Sequence, residues 1–213
     1  MSSRTNRRPY DSPRRREQAA ATREAVVAAA RQLFERDGYP ATSIAAVAGA
    51  ARVTPRTVYL GFETKAGLLR AVWNSALRGD LDSPPVSEHR WFREVIDEPD
   101  PERTLRLNAR NSRRFKERST ALLQVIRDTA PLEPEIAALW DRIQAEYHAN
   151  QLAVVRSLGP GALKQGLDSR RAADIIWTLN HPNTWIQLSV LRGWTPARYE
   201  RWVGDTSCDQ LLA

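Results

Sequence analysis

Hydrophobic residues recur at helical spacing along most of the chain, and no segment alternates apolar and polar residues as a strand would. After Glu17, one apolar face is formed by residues at i, i+4, i+7 and i+8, namely Val26, Ala30, Leu33 and Phe34. Asp37-Gly38 is a typical helix end, so a first helix is predicted to end there. The fold class predicted from this spacing is all-α.

Three shorter helices are predicted after the first. The second is capped by Thr42 or Ser43 and is followed by a three-residue break at 52–54. In the third, Thr54 is the N-cap, Pro55 occupies the first helical position, and Gly61 is expected to end the helix in the left-handed conformation. Thr64 caps a fourth helix, which starts at Lys65 and is expected to end at Gly79.

The rest of the chain is also predicted to be helical. Residues 80–100 are rich in Pro, Asp and Ser, apart from an apolar turn at 91–96, which indicates a boundary between modules near Asp80. Beyond it, apolar spacing predicts helices over 101–129 (one long or two abutting), 134–158, around 162–165, over 170–181 with Ser169 as cap, over 182–191, and from Thr195-Pro196 onward.

Charge is distributed unevenly between these two parts. The 213 residues carry a net charge of +7, with +8 on residues 1–79 and −1 on residues 80–213. A basic module joined to a neutral one indicates a polyanion-binding head on a body with another role, although a solvated basic surface without a partner has the same composition. Residues 1–16 are basic and have little to bury, which predicts a disordered arm that could lie along phosphates.

Several classes of protein are disfavoured by the sequence. No apolar run approaches the roughly 18 residues of a membrane span, and the N-terminus lacks the apolar region of a secretory signal. The single cysteine, Cys208, fits a cytoplasmic protein. The chain has no Gly-rich phosphate loop, and its histidines are isolated, so we expect no catalytic residues, no cofactor and no metal site.

The two short helices at 44–61 match helix-turn-helix geometry, in which the second helix enters the major groove of DNA. A helix as short as the third is marginal on its own. We expect Val53, Val58 and Phe62 to hold it from behind, which leaves its opposite side free.

The segment "FERDGYPATSIAAVAGAARVTPRTVYLGFETKAGLL" resembles the DNA-binding domain of the tetracycline-repressor (TetR) family of transcriptional regulators. The resemblance covers a helix ending in Gly-Tyr, then Thr-Ser, Val-Ala and Val-Thr-x-x-Thr-x-Tyr-x-x-Phe-x-x-Lys. It implies an N-terminal three-helix helix-turn-helix DNA-binding domain over residues 17–79, after the arm at 1–16. Residues 80–213 would form an all-helical ligand-binding and dimerisation domain.

The resemblance also implies DNA-contacting residues. Thr42, Thr57, Tyr59 and Lys65 would contact the phosphate backbone, Arg56 would read a guanine edge from the leading turn of the recognition helix, and Leu60 would touch a thymine methyl. The full set predicted to bind DNA is Thr42, Arg52, Thr54, Pro55, Arg56, Thr57, Tyr59, Leu60 and Lys65.

Some residues depart from the family pattern. Arg52 stands where glycine is usual, so we expect a positive φ there that an arginine adopts in exchange for a phosphate contact. Ala45 and Ala46 replace polar or basic residues, and Gly61 replaces a frequent His or Tyr. Specificity is therefore expected to depend mainly on Arg56.

For the body, the resemblance implies an apolar effector pocket and a homodimer made by the last helices. The predicted pocket residues are Phe115, Leu122, Ile126, Trp140, Tyr147, Trp177 and His181, although ordinary core packing explains such residues equally well. The implied function is a repressor that binds a palindromic operator as a homodimer and is released by a small-molecule effector. The alternative is a small-molecule carrier or an enzyme of helical fold whose N-terminal region is purely structural.

Overall fold

A computed structural model of the chain describes residues 13–78 and 86–213. Within these ranges the protein is built from helices and contains no strand, apart from one isolated antiparallel bridge between Leu163 and Leu212. The all-α prediction is therefore confirmed. Among the described residues, no helix is both long and apolar enough to cross a lipid bilayer.

Four helices form the N-terminal module: α1 (Pro13–Asp37), α2 (Ile44–Ala50), α3 (Pro55–Phe62) and α4 (Lys65–Arg78). Helix α1 begins four residues before the predicted start, because Pro13 is well suited to a first turn and arginines are good helix formers. The disordered arm predicted for residues 1–16 is thus wrong for 13–16, and residues 1–12 lie outside the described range. The end of α4 predicted at Gly79 and the module boundary near Asp80 also lie outside it.

The short helices begin as predicted, but α3 ends differently. The Ser43 hydroxyl accepts a hydrogen bond from the Ala46 amide, and the Thr54 hydroxyl accepts one from the Thr57 amide. Gly61 was expected to end α3 in a left-handed conformation, and this is wrong. The helix runs on through Phe62, and Glu63 takes the positive φ of 63°.

A close contact between α3 and α4 explains this ending. The Thr64 amide donates to the Phe62 carbonyl at 2.7 Å across Glu63, which makes Glu63 the centre of a γ-turn. The Thr64 hydroxyl then caps α4 by accepting from the Gly67 amide at 2.8 Å. A Cβ on Gly67 would lie 2.2 Å from the Phe62 carbonyl oxygen, so only glycine fits where the helices meet.

The body contains six further helices among the described residues: α5 (Arg90–Ile96), α6 (Pro101–Thr129), α7 (Pro134–Ser157), α8 (Ser169–Leu179), α9 (Pro182–Trp185) and α10 (Pro196–Leu211). A 3₁₀ turn, Val86–Glu88, precedes α5, and a π-helical segment, Ile186–Leu191, continues α9. Residues 101–129 thus form one helix rather than two.

Two predictions for residues 160–170 are wrong. No helix forms around 162–165, because this segment pairs with the C-terminal end of the chain. The Lys164 amide donates to the Leu211 carbonyl, and the Ala213 amide donates to the Ala162 carbonyl. The N-cap of α8 is Asp168 rather than Ser169, since the Asp168 carboxylate accepts from the backbone amides of residues 170 and 171.

The hydrophobic core of the N-terminal module extends into the body. Buried side chains of α1 to α4 pack in one cluster with the second half of α6 and the first half of α7, including Leu122, Ile126 and Ile143. A second cluster joins α5, α8 and α10 to the other ends of α6 and α7. Helices α6 and α7 therefore connect the two parts of the molecule through buried contacts.

Candidate nucleic-acid interface and cavity

Helix α3 has a buried side and an exposed side. Val58 and Phe62, one turn apart, are 1% and 7% exposed and pack into the N-terminal core. Arg56 and Leu60, also one turn apart, project from the opposite side, where Leu60 is 76% exposed. Because Leu60 is mostly exposed, it contributes little to the hydrophobic core of this chain. The arrangement leaves this side of α3 free to meet another molecule.

The flanks of this exposed side carry hydroxyl groups. Tyr59 is 53% exposed, and Pro55 and Thr57 are also exposed. The Thr54 and Thr57 hydroxyls lie 3.0 Å apart, so the capping interaction also orients Thr57. These groups lie on either side of Arg56 and Leu60. The arrangement is that expected if the flanking groups contact phosphates and the central pair contacts bases.

Arg52 has a φ of 57°, in the left-handed region, as expected from its place in a turn where glycine is usual. Its side chain is exposed. The turn is held by hydrogen bonds from the Arg52 amide to the Gly49 carbonyl and from the Val53 amide to the Ala48 carbonyl. The backbone is thus fixed in a conformation that costs an arginine about 1–2 kcal/mol.

The geometry does not support a phosphate contact by Thr42. Its side chain is 3% exposed, and its hydroxyl donates to the Gly38 carbonyl at 2.8 Å. The Thr42 amide also has a partner, the Tyr39 carbonyl, at 3.3 Å. Thr42 therefore has no free donor. Ser43, which follows it and is exposed, is the hydroxyl residue at the start of α2 that a ligand could reach.

Lys65 lies at the N-terminus of α4, where its ammonium group sits 4.2 Å from the centre of the Tyr39 ring and 3.5 Å from the Pro40 carbonyl oxygen. Partial burial lowers the pKa of Lys65, and the nearby Glu133 opposes that shift. The pKa of Tyr39 is raised to about 12 by burial and by Glu133 and Glu135. Lys65 is thus half-buried on the aromatic ring rather than extended into solvent.

Two arginines of α1 border α3 and were not predicted from the sequence. A groove between the helices is lined by Arg15, Arg23, Thr57 and Leu60, among others. The Arg23 guanidinium donates to the Gly61 carbonyl at 2.7 Å and lies 4.5 Å from the centre of the Phe62 ring. Arg15 and Arg23 are eight residues apart, which places them on one side of a helix, and this spacing was the sequence signal that could have identified them.

A cavity of about 330 Å³ lies between the N-terminal module and the body. Most of its lining is apolar or aromatic. Trp73 and Leu77 of α4 form part of its wall, and Trp73 meets Phe115 of α6 edge-on, with ring centres 5.8 Å apart. The cavity is therefore shared between the helix that follows the recognition helix and the long helices of the body.

Of the seven residues predicted to form an effector pocket, Phe115 and Tyr147 line this cavity. The other predicted residues are elsewhere. Leu122 and Ile126 are fully buried in the core and Trp140 packs against it, so these three have structural roles. Trp177 and His181 form an edge-on pair, with ring centres 4.9 Å apart, outside the lining.

The sequence analysis missed the most unusual residue of the cavity, Lys116, which is 1% exposed. Its ammonium group donates to the Ser112 hydroxyl and lies 5.4 Å from the centre of the Tyr199 ring. Burial holds the pKa of Lys116 well below its ordinary value. The available signal was its position seven residues from both Ala109 and Leu123, on the buried stripe of α6.

A short polar chain continues from Lys116 towards α8. Ser112 and the Tyr147 hydroxyl lie 3.1 Å apart, and the Tyr147 hydroxyl donates to the Asn180 carbonyl at 2.5 Å. Burial raises the pKa values of the Tyr147 and Tyr199 phenols above the ordinary value. Both phenols therefore stay neutral near pH 7. In residues 13–78 and 86–213, no three His, Cys, Asp or Glu side chains are grouped to hold a metal ion.

A family model described as "Bacterial regulatory proteins, tetR family" matches residues 26–72. Among solved structures, NalD of Pseudomonas aeruginosa, the secondary repressor of the MexAB-OprM multidrug efflux pump, is 21% identical over 90% of this chain and 97% of its own, with a TM-score of 0.68. SmeT, solved with triclosan, is 17% identical over 91% and 92%, with a TM-score of 0.70. A Saccharomonospora viridis protein solved with choline is 14% identical over 91% and 98%, also at 0.70. No match was found among the curated proteins.

These comparisons confirm the resemblance predicted from the sequence motif. The matched residues run from the middle of α1 through most of α4, which is the helix-turn-helix module with its supports. The solved structures share the fold along nearly the whole chain, so the helical body that follows this module has the same fold as theirs. The description of that family model is one of bacterial regulatory proteins, and it applies to the matched residues of this chain.

Proposed function

We propose that this chain is a cytoplasmic one-component repressor that binds a palindromic operator as a homodimer and is released by a small-molecule effector. The observation that carries this proposal is the shared wall of the cavity. Trp73 and Leu77 belong to α4, which packs against the recognition helix α3 through Gly67 and Phe62. A ligand in the cavity would thus touch the DNA-binding module directly.

In this proposal, the exposed side of α3 enters the major groove. Arg56 would donate to the O6 and N7 atoms of a guanine, and Leu60 would contact a thymine methyl. A surrounding set of residues would position the helix against the phosphate backbone. Its members are Arg52, Thr54, Thr57, Tyr59 and Lys65, together with Ser43, Arg15 and Arg23. To contact a phosphate, the Lys65 ammonium would either leave the Tyr39 ring or stay beside it. The flexible side chain allows the ammonium to move by a few ångströms.

Dimerisation follows from the small footprint of α3. One eight-residue helix reads few base pairs, whereas two helices related by a twofold axis read half-sites about 34–36 Å apart. Val190 and Leu191 of the π-helical segment are 58% and 71% exposed, and they supply an apolar surface next to α8 and α10 for a second copy. The last helices are therefore the proposed dimer interface.

Release would be a shift between two arrangements of the heads. In one arrangement, the two DNA-binding modules of the dimer are spaced to fit the operator, and in the other they are not. A ligand that binds the second arrangement more tightly weakens operator binding by the difference in its affinity for the two arrangements. A coupling of about 1–3 kcal/mol changes operator binding about 5–150-fold. The ligands in SmeT and in the Saccharomonospora viridis protein support a ligand-binding role for a body of this fold.

Selection of duplexes from a random pool by the purified protein tests the DNA-binding part. We expect a palindrome to be enriched, with affinity that falls steeply as salt is raised. Arg56→Ala should cost about 1–3 kcal/mol at one base position of each half-site, whereas Lys65→Ala should weaken all sequences similarly and reduce the salt slope by about one. Arg93→Ala, an exposed change on α5 away from the proposed dimer surface, is the matched control and should have no effect.

A different result would favour the alternative function. A carrier or enzyme with a structural N-terminal region would enrich no sequence and would show little dependence of DNA affinity on salt. Sedimentation of the protein with the enriched duplex measures the stoichiometry, and one protomer per duplex would contradict the proposed dimer.

A further inference from the structure

Lys116 occupies a position that is costly for a cation. Its side chain is 99% buried, and the ion pairs of the described residues do not include it. The Ser112 hydroxyl accepts one of its hydrogen bonds, and the Tyr199 ring lies near it. A buried ammonium group without a carboxylate partner destabilises the folded protein. Such a group therefore suggests a role other than stabilising the fold.

The neighbouring Gln144 also has a donor without an acceptor. The Asn183 amide donates to Nδ1 of His181 at 3.1 Å, so the proton of the neutral ring must be on Nε2. Nε2 of His181 then donates to Oε1 of Gln144 at 3.0 Å. This fixes the orientation of the Gln144 amide, whose buried Nε2 has no partner in the structure. Gln144 and Lys116 both line the cavity.

The other residues that line the cavity determine the size and polarity of a molecule that could bind in it. Trp73, Leu77, Phe115, Leu123 and Ile143 supply apolar surface, and the volume of about 330 Å³ lies at the lower end of the range for small-molecule sites. The lining contains one carboxylate, that of Glu146, and this residue is exposed. Lys116 thus has one hydroxyl acceptor and no carboxylate partner, and the Gln144 amide has a donor with no acceptor.

We propose that the cavity binds an apolar molecule with one anionic group, such as a carboxylate or sulfonate, and that Lys116 and Gln144 donate hydrogen bonds to that group. This inference rests on the proposed effector role of the cavity and names the chemical class of the effector. A quaternary amine such as choline, found in the Saccharomonospora viridis protein, would be disfavoured here by Lys116.

Binding of such an anion should be accompanied by uptake of a proton at Lys116. Burial keeps the pKa of the free amine well below its ordinary value, and a bound anion raises it again. The other titratable groups that face Lys116 are Tyr147 from α7, Tyr199 from α10 and His181 before α9, with Glu146 at the exposed edge of the cavity. Burial raises the pKa of both phenols and lowers that of the His181 ring, so these three groups take up no proton at about pH 9. The loss of proton uptake in Lys116→Met then assigns the uptake to the lysine.

Two fluorescent probes with the same aromatic body test the proposal. 1-Anilinonaphthalene-8-sulfonate carries the anionic group, and N-phenyl-1-naphthylamine lacks it. Affinities are measured by fluorescence titration for the full-length protein, for Lys116→Met, for Gln144→Leu and for Lys164→Met. Lys164 is an exposed lysine outside the cavity and is the matched control. Calorimetry at about pH 9 in two buffers of different ionisation enthalpy measures the protons taken up.

We expect Lys116→Met to lower the affinity for the sulfonate about tenfold or more and to change that for the neutral probe by less than about twofold. Gln144→Leu should show a smaller effect of the same kind, and Lys164→Met should change neither affinity. Wild-type protein should take up protons with the sulfonate, and Lys116→Met should not. Unchanged binding of the neutral probe also shows that each variant is folded.

Equal losses for both probes, no loss for either, or proton uptake that persists in Lys116→Met would overturn the inference. The DNA selection described above is independent of this outcome. If an operator is enriched and the probes do not discriminate, the proposed regulator stands and its effector is not an acid. If the probes discriminate and no operator is enriched, the anion site stands in a protein with another function.

Discussion

Replacing Arg52 by glycine is expected to stabilise the fold and to weaken DNA binding. The φ of 57° costs a residue with a Cβ about 1–2 kcal/mol. Glycine removes that cost but loses about 0.5–1 kcal/mol more backbone entropy on folding. The net gain in the free energy of unfolding is about 0–1.5 kcal/mol, and its midpoint of about 0.75 kcal/mol corresponds to about 1.5–3 °C in Tm for a chain of this length.

The DNA-binding effect has the opposite sign because the exposed guanidinium is the proposed phosphate contact. Each such contact contributes about 0.9 to the slope of log affinity against log salt, so the slope should become shallower by about that amount per Arg52 removed. Urea unfolding measures the stability, and fluorescence anisotropy on the selected duplex at several salt concentrations measures the slope.

Two further variants separate strain from charge. Arg52→Ala keeps the positive φ and loses the charge, so it should weaken DNA binding without stabilising the fold. Glu63→Gly relieves the other positive φ, of 63°, and removes a negative charge, so it should stabilise the fold without loss of DNA affinity. If Arg52→Gly is no more stable than the wild type, the argument from backbone strain is wrong. If the slope of log DNA affinity against log salt is the same for both proteins, Arg52 makes no phosphate contact.

Three other changes test the packing and the buried amine. Gly67→Ala places a Cβ 2.2 Å from the Phe62 carbonyl oxygen, so it should destabilise the protein by about 1–3 kcal/mol in urea unfolding despite the better helix propensity of alanine. Thr54→Ala removes the cap of α3 and should lower the free energy of unfolding by about 0.5–2 kcal/mol, again in urea. Lys116→Met should raise it by about 1–4 kcal/mol at pH 7. Because the folded-state pKa of Lys116 is lowered, its unfavourable effect should fade as pH rises towards about 10.5, and urea unfolding at several pH values should show the two proteins converging.

The sequence was sufficient for the elements whose causes are local. Thr54 and Pro55 start α3 because a hydroxyl cap and a missing amide act within one turn. The positive φ of Arg52 was expected from the family resemblance, because glycine is usual at that position of the turn. The buried pair Val58 and Phe62 followed from helical spacing alone.

The structure differs from the sequence-based predictions where the chain folds back on itself, which residue spacing alone does not show. Gly61 looks like a helix end by itself, but α4 approaches α3 so closely at Gly67 that the chain turns two residues later, at Glu63. Thr42 matches a motif position, and its phosphate contact stays a prediction, but the turn after α1 places its hydroxyl on the Gly38 carbonyl. The segment around 162–165 has helical composition, but the C-terminus supplies its backbone hydrogen bonds.

The cavity was hardest to predict because core and pocket residues have the same composition. Leu122 and Phe115 lie seven residues apart on α6, and only the packing of α4 determines that one is fully buried while the other faces an open space. Lys116 was overlooked because a lysine in an arginine-rich stretch of a long helix resembles a solvated residue. Its burial depends on Tyr199 of α10, more than 80 positions away in sequence.

The continuity of α6 provides a physical route from the cavity to the DNA-binding module. At about 1.5 Å per residue, its 29 residues extend about 43 Å, and Lys116 lies near the middle. One half packs against α10, while the other shares a core with α1 and α4, where Arg31 of α1 also donates to the Arg118 carbonyl. Buried contacts at its two ends thus join α6 to both parts of the molecule. An anion bound at Lys116 would therefore act on a helix that contacts both parts of the molecule, and α4, which meets α3 at Gly67, packs directly against that helix.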